Sequence, residues 1–531
     1  MSNSIISNIV KLYVPVSLLI VTTGCGGKSS SSGEAAGADT TVTVENVTPE
    51  PAQLPDTVFP SVSAINYKVE VIDTVNSGVI DNLRDLYATT PGAFTFRKDA
   101  VRDADFGGSV KGTPSEIVVD WAFKTDFDTR ETSLGTWGGG SGWTGQPLYV
   151  EWPDSCVSRF RRGDAITADF SKNEIIVGSL ASRIYFINFE TGKASRRPID
   201  TSNPIKGTIS LDPTLNGNLY FGQGVPAVRP FGARVIDLYK HAVTHEFNED
   251  PKAQRRWGAY DSSPVRVGQF LFRPGENGTL YKFSIAPGTL SLHSTLRYTA
   301  GGTAPGMESS MSVYRNYGFV GDNHGNLLCV NLNTMKPVWR YDLRDDIDAT
   351  PVVCVEEGGA YVYVGCEIDL RKEGSASFVK LDALTGKMVW STEFTGKLFA
   401  IGKKHFDGGF YATPLPGSGN CADLIFTNVV LNQSGQNGEF VAISRKDGKV
   451  VYSTPLHRYA WSSPVGFLNE KNELFVFTAD CAGNAYIIEG RTGRIIVRKP
   501  VGNNFESSPV VKGNSLVVGS RGDTIYKLSL K

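Results

Sequence analysis

Five carboxylates recur at one position of a repeated pattern. A pair of small residues followed by proline occurs as Ser262-Ser263-Pro264, Ala349-Thr350-Pro351, Ala412-Thr413-Pro414, Ser462-Ser463-Pro464 and Ser507-Ser508-Pro509. When the repeats are aligned on this pair, the preceding residues are Asp164, Lys206, Asp261, Glu308, Asp348, Tyr411, Trp461 and Glu506 in chain order. If the repeats converge on one axis, these side chains ring a channel mouth. The ring is negative, broken by one lysine and two aromatics, and focuses field on a cation or a basic peptide segment. The competing reading is structural: each carboxylate accepts backbone hydrogen bonds from the next repeat.

Other residues could carry chemistry. The stretch "TWGGGSGWTGQP", residues 136–147, offers Trp137 and Trp143 as stacking platforms for a sugar or peptide. It lacks the Gly-Lys-Ser/Thr of a phosphate loop. Its alternative is a structural loop crossing one face, with buried tryptophans and glycines where φ is positive. His241 and His245 have the i, i+4 spacing of helical metal ligands, but their surroundings read as strand and loop and no third ligand is identifiable, so no metal is expected. Arg162-Gly163-Asp164 and Arg521-Gly522-Asp523 read as turn residues. Beyond Cys25, six cysteines are scattered with no C-x-x-C spacing, which argues against a redox, haem or Cys-zinc motif and leaves disulfides or buried thiols.

The elements that must position these residues are strands. "LDALTGKMVW", residues 381–390, reads as a hairpin: alternating strand, a Thr385-Gly386-Lys387 turn, then a strand ending in Trp390. Echoes begin at Ile187, Val330, Ala442 and Ile487, and "VGS" or a variant lies between the two motifs. The unit is about 40–50 residues with four strand-like runs, the range of a propeller blade. An all-β, eight-bladed β-propeller over 115–531 is expected, with seven blades as the alternative because 206–256 is the least regular unit. The last unit is one strand short. "EIVVDWAFKTDF", residues 116–127, supplies that strand, with Trp121 in the place of Trp390, and closing the ring removes an exposed sheet edge. Trp121, Trp339 and Trp390 are the expected blade-packing tryptophans.

The N-terminus differs in kind. Lys11 precedes an apolar run from Leu12 to Val21, too short to span a bilayer and of signal-peptide size. Gly24-Cys25 ends it in the manner of a lipobox, which makes Cys25 the expected lipidation site and 1–25 a signal peptide. Residues 26–60 read as a flexible tether rich in Gly, Ser, Ala, Thr and Pro. Residues 61–114 read as a small segment packed on the propeller, with a strand in "YKVEVIDTV", a short helix in "SGVIDNLRDLYA" and an ordered loop after it. The 53 Lys+Arg against 54 Asp+Glu give a net charge of −1, which provides no basic excess for nucleic acid.

The D-x-x-T-G-K-x-x-W pattern, Asp382 to Trp390 and its echoes, resembles the quinoprotein (PQQ-type) propellers over roughly 115–531. The resemblance implies the fold and two branches of activity. The dehydrogenases of that superfamily surround a quinone with an adjacent cysteine pair, a stacking tryptophan and a calcium. Here no two cysteines are adjacent, so no cofactor and no catalytic residue are expected. The chain is similar in its order of parts to the other branch, which includes the lipoprotein subunit of the outer-membrane β-barrel assembly machinery. The resemblance therefore implies a non-enzymatic scaffold, exported and lipid-anchored, probing envelope proteins as partners. A PQQ-type oxidoreductase and a glycan-binding surface protein are the runners-up.

Overall fold

The computed structural model describes residues 57–76, 78–80, 84–401, 404–432 and 437–531. The signal peptide, Cys25 and nearly all of the tether lie outside them. Among the described residues no helix is long and apolar enough to cross a membrane.

Strands follow one another as antiparallel meanders, because short apolar runs such as Leu474–Ala479 and alternating ones such as Val450–Pro455 are joined by tight turns. In the first sheet Leu148–Glu151, Asn173–Ser179, Arg183–Asn188 and Ala194–Asp200 pair in that order. Seven further sheets repeat the arrangement, with innermost strands starting at Ser210, Val265, Ser312, Val352, Leu415, Val465 and Val510. The architecture is a β-propeller. Ile117–Lys124 pairs antiparallel with Thr524–Leu530, Ile117 opposite Leu530 and Lys124 opposite Thr524, so the last sheet is completed from upstream as the sequence predicts.

The small pairs explain how the sheets are held at the axis. The backbone N–H of the second residue donates to the hydroxyl of its counterpart on the next sheet. Ser263 donates to Ser310 (2.8 Å), Ser310 to Thr350 (3.2 Å), Thr350 to Thr413 (3.2 Å), Thr413 to Ser463 (3.0 Å) and Ser463 to Ser508 (3.1 Å). Gln146 N–H to Thr208 (2.9 Å) joins the first sheet to the second in the same way. Only a short hydroxyl side chain accepts a neighbour's amide at this spacing, hence the recurring Ser and Thr.

The turn motif explains the outer packing. Asp382 accepts from the Leu384 and Thr385 amides, which fixes the turn. Gly386 follows at φ +69°, and a Cβ there would sit 2.6 Å from the Trp339 ring of the preceding sheet. Trp339 Nε1 donates to the Ala383 carbonyl at 3.0 Å. Trp390 repeats this against Gly448 and the Arg445 carbonyl, and Trp121 against Gly192 and the Phe189 carbonyl. Each tryptophan lies over the next sheet's turn glycine, and Trp121 does so from the eighth sheet onto the first.

Residues upstream of the propeller take two places. Ile65–Val71 adds a fifth strand to the third sheet, and Arg84–Ala88 is a short helix. The segment from Phe94 to Ala104 plugs the channel. Thr95 Oγ1 lies 2.7 Å from Ser210 Oγ and 2.9 Å from Ser263 Oγ, and donates to the Pro264 carbonyl. Arg97 reaches the Pro464 and Pro414 carbonyls at 2.8 and 3.3 Å. Arg102 reaches those of Met311, Phe96 and Ser263. Both arginines are fully buried. The proline of each motif donates nothing, and the carbonyls of Pro264, Pro414 and Pro464 are taken up by the plug.

Trp339→Ala is expected to cost about 3–5 kcal/mol, the range for emptying a buried tryptophan site. Gly386→Ala is expected to cost more than about 1 kcal/mol through its left-handed backbone alone. Urea unfolding with parent-like midpoints for both would refute the ring-over-glycine account.

Candidate functional site

Along each innermost segment the chain runs from the ring residue through the small pair to the proline. The plug binds at the proline side, so the ring residues stand across the hydrogen-bonded girdle from it. Asp261, Glu308 and Asp348 come together there with Lys206. The Lys206 ammonium pairs with Asp261 and lies 3.7 Å from Glu308.

Asp164 does not belong to the ring. Its carboxylate is 91% exposed and pairs with Arg197 at 2.8 Å on the surface. The helix Asp154–Phe160 and its following loop are inserted between the first two strands of the first sheet, which moves Asp164 away from the axis. The first sheet starts at Leu148 instead, and Thr144 takes the corresponding place.

Three further carboxylates join the cluster. Glu276 follows the strand Phe270–Gly275, and carboxylate oxygens of Asp261, Glu276 and Glu308 lie within 4.8 Å of one another. Asp346, Asp348 and Glu367 form a second triplet within the same limit. Glu367 sits in a short bridging strand after the fifth sheet's second strand. Glu276 and Glu367 thus occupy the loop after the "VGS"-type strand, and Asp346 lies two residues before Asp348. The motif spacing carried that signal, but only the strand register shows that these loops face the mouth.

The two triplets are satisfied unequally. In the first, Trp257 Nε1 and the Asp261 amide donate to Glu276 at 2.8 and 3.2 Å. Burial opposes the Lys206 ammonium, but Asp261, Glu308 and Glu276 outweigh it and hold its pKa well above the usual lysine value. In the second triplet, Glu367 is 1% exposed and its Oε1 has no hydrogen-bond partner. No ion pair joins Asp346, Asp348 or Glu367 to a described lysine or arginine. Burial pushes all three well above the ordinary carboxylate range, Asp348 further through Asp346 and Glu308, and Glu367 further through Asp348 and Asp346.

Aromatics wall the other half of the mouth. Tyr411 stacks on Trp461 with centroids 4.6 Å apart, and Tyr459 lies 5.1 Å from Trp461. Trp143 meets Tyr411 edge-on at 6.1 Å and its Nε1 donates to the Tyr411 carbonyl. The Tyr411 hydroxyl donates to Asp407 at 2.8 Å. Trp137 lies between Lys206, at 5.8 Å, and Arg521, at 5.4 Å, and Arg521 pairs with Glu506 at 3.4 Å. The Gly-Trp stretch is therefore partly a strand, Gly135–Gly140, crossing the mouth. Trp143 is 7% exposed, which corrects its reading as an exposed platform. A Cβ at Gly140 would lie 1.8 Å from the Ser520 carbonyl, so glycine is what lets this crossing strand come so close to Ser520.

The remaining candidates lie elsewhere. His241 Nε2 donates to the Arg197 carbonyl and His245 Nδ1 shares a hydrogen bond with the Thr289 hydroxyl, so the two rings serve separate contacts. The six described cysteines are free, five of them buried.

With this geometry in view, a family model described as outer membrane protein assembly factor BamB matches residues 277–470. The quinohemoprotein alcohol dehydrogenase of Comamonas testosteroni superposes with a TM-score of 0.58 at 13% identity, covering 84% of this chain and 81% of that one. A europium-containing methanol dehydrogenase gives 0.55 at 12% identity, covering 84% and 100%. BamB of Moraxella catarrhalis gives 0.47 at 16% identity, covering 69% and 95%. No curated protein matches the chain. The fold is that of a PQQ-like propeller. Propellers of this kind include dehydrogenases and the assembly factor alike, so the fold alone does not choose between them.

The cations described at the mouth do not fit a quinone of the PQQ type. Such a cofactor carries carboxylates of its own. Here six protein carboxylates crowd the mouth, Lys206 is engaged by Asp261 and Arg521 by Glu506.

A carboxyl that binds its proton more tightly in the fold than in the unfolded chain makes stability fall as pH rises from the ordinary carboxylate range through the raised one. Asp369, beside this cluster, is pushed up to about 6 by burial and by Asp407 and Asp345. In metal-free buffer the thermal midpoint is therefore expected to drop between about pH 5 and pH 8. Glu367→Gln should raise the midpoint at the upper pH and leave the lower one in place. A variant that tracks the parent across the range would show that Glu367 is not held protonated.

Proposed function

We propose that the protein is a non-catalytic binding propeller, exported to the cell envelope, anchored there through a lipid on Cys25, and serving as a scaffold for other envelope proteins. The observation that carries this reading is the asymmetry of the channel. One end is filled by the chain's own residues 94–104, and the other gathers carboxylates beside an aromatic stack. That arrangement offers recognition of positive charge and contains no described nucleophile paired with a base. The apolar run before Cys25 and the outer-membrane description of the matched family support the compartment. A quinone-dependent oxidoreductase would need a seat that the donor set does not provide. A glycan reading loses one of its two platforms with Trp143 buried.

Capture from detergent-solubilised envelope tests the proposal. Intact protein should retain specific envelope proteins, and Cys25→Ala protein should appear in the soluble fraction while keeping the same partners when mixed with solubilised envelope. Quinone-dependent alcohol oxidation by the purified protein, with no envelope protein retained, would overturn it.

A further inference from the structure

The first acidic triplet shows what the mouth is built to hold. An ammonium, that of Lys206, contacts Asp261 and approaches Glu308, while the Trp137 ring stands 5.8 Å from it. Carboxylates meet it on one side and an aromatic face on the other, the combination that recognises organic cations. The second triplet repeats the construction. Asp346, Asp348 and Glu367 converge within 4.8 Å, and burial and charge link Glu367 and Asp348 to Tyr411, the base of the Tyr411–Trp461 stack. What differs is the occupant: no described lysine or arginine pairs with this triplet.

We propose that the mouth is a receptor for a lysine- or arginine-bearing segment of a partner protein, whose cationic head group enters between Asp346, Asp348, Glu367 and the Tyr411–Trp461 stack. The unpartnered Oε1 of Glu367, on a residue 1% exposed, is the acceptor left for that head group. The buried Trp461 Nε1 also has no hydrogen-bond partner. A donor at that point suits the carbonyl of a peptide, whereas it would add nothing to the shell of a metal ion. Half-burial of Asp346 and Asp348 leaves a route from solvent. Lys206 sets the register of the guest, because its ammonium already pairs within the first triplet and a second positive charge is directed to the other. The inference rests on the proposed scaffold role and names the chemistry of its partner.

Calorimetric titration of the full-length protein with an oligolysine peptide, repeated with an oligoglutamate peptide, tests it, with tryptophan emission from the Trp143–Tyr411–Trp461 cluster followed in parallel. Oligolysine is expected to bind and to change the emission. Glu367→Gln and Asp348→Asn should each weaken binding at least about tenfold, while Asp164→Asn, a surface carboxylate away from the mouth, should leave it unchanged. Both mouth variants replace a carboxyl by an amide of the same size and add no charge to the mouth, so they should fold, and circular dichroism of each checks that they do. Equal binding by all three variants would overturn the proposal as surface attraction only. Calcium alone titrating into the same carboxylates, with oligolysine inert, would overturn it in favour of a metal ion. Failure of both ligands would overturn it too. Envelope partners still captured by the Glu367→Gln protein would then show that the scaffold reading survives through another surface.

Discussion

The girdle of amide-to-hydroxyl hydrogen bonds around the axis is the constraint on which this structure depends. Each bond joins one sheet's backbone to the next sheet's Ser or Thr side chain, from Ser263 through Ser310, Thr350, Thr413 and Ser463 to Ser508. One such bond contributes roughly 1 kcal/mol net, but leaving the buried amide unmet costs roughly 1–3 kcal/mol. The girdle therefore acts mainly by exclusion: no sheet can slide along the axis without stranding two buried groups. It also fixes what lies on either side. Two residues earlier is the mouth, and one residue later is the proline carbonyl that the plug requires.

The plug and the mouth solve opposite electrostatic problems. Arg97 and Arg102 are buried among carbonyls, whose dipoles accept the guanidinium donors in several directions at once. Burial lowers their pKa values, Arg97 to about 9 and Arg102 to about 10, yet leaves them charged at neutral pH. At the mouth, like charges converge, and among the described residues Lys206 opposes the first triplet and Arg521 opposes Glu506. The fold relieves the excess by retaining protons, which makes the mouth the costly end of the channel. A locally unfavourable arrangement that the rest of the structure sustains is the pattern expected of a site rather than of a scaffold element.

Much of this was legible in the sequence because it repeats. The turn motif predicts its own geometry: an Asp that caps, a Gly at positive φ, and an aromatic that needs a flat neighbour. Trp121 could be placed in the last sheet from its likeness to Trp390 alone, and its contact with Gly192 shows the same physics across the closure. Where the repeat is interrupted, the reading failed. Asp164 has the right neighbours in sequence, but the inserted helix Asp154–Phe160 changes which residues start the strand, and sequence spacing cannot see an insertion inside a repeat unit. Glu276, Asp346 and Glu367 were missed for a different reason. Their placement depends on which way a loop faces after a strand ends, a property of register between sheets rather than of any one segment.

The plug was the least legible element, and the reason ties the two ends together. "FTFRKDAVRDADFGG" has no periodicity, because a segment lying along an axis meets a different sheet at each residue. Thr95 touches the second and third sheets, Arg97 the sixth and seventh, and Arg102 the third and fourth. Such a segment can be ordered only after the ring exists, so it reports closure instead of directing it. It also fills one end of the channel with the chain's own residues. A ligand at the mouth then meets a floor of girdle hydroxyls and a wall of carboxylates, and any positive charge it brings enters a region from which Arg97 and Arg102 are separated by the girdle. The second triplet is left without a described basic partner on one side, while Arg97 and Arg102 are spent on carbonyls on the other.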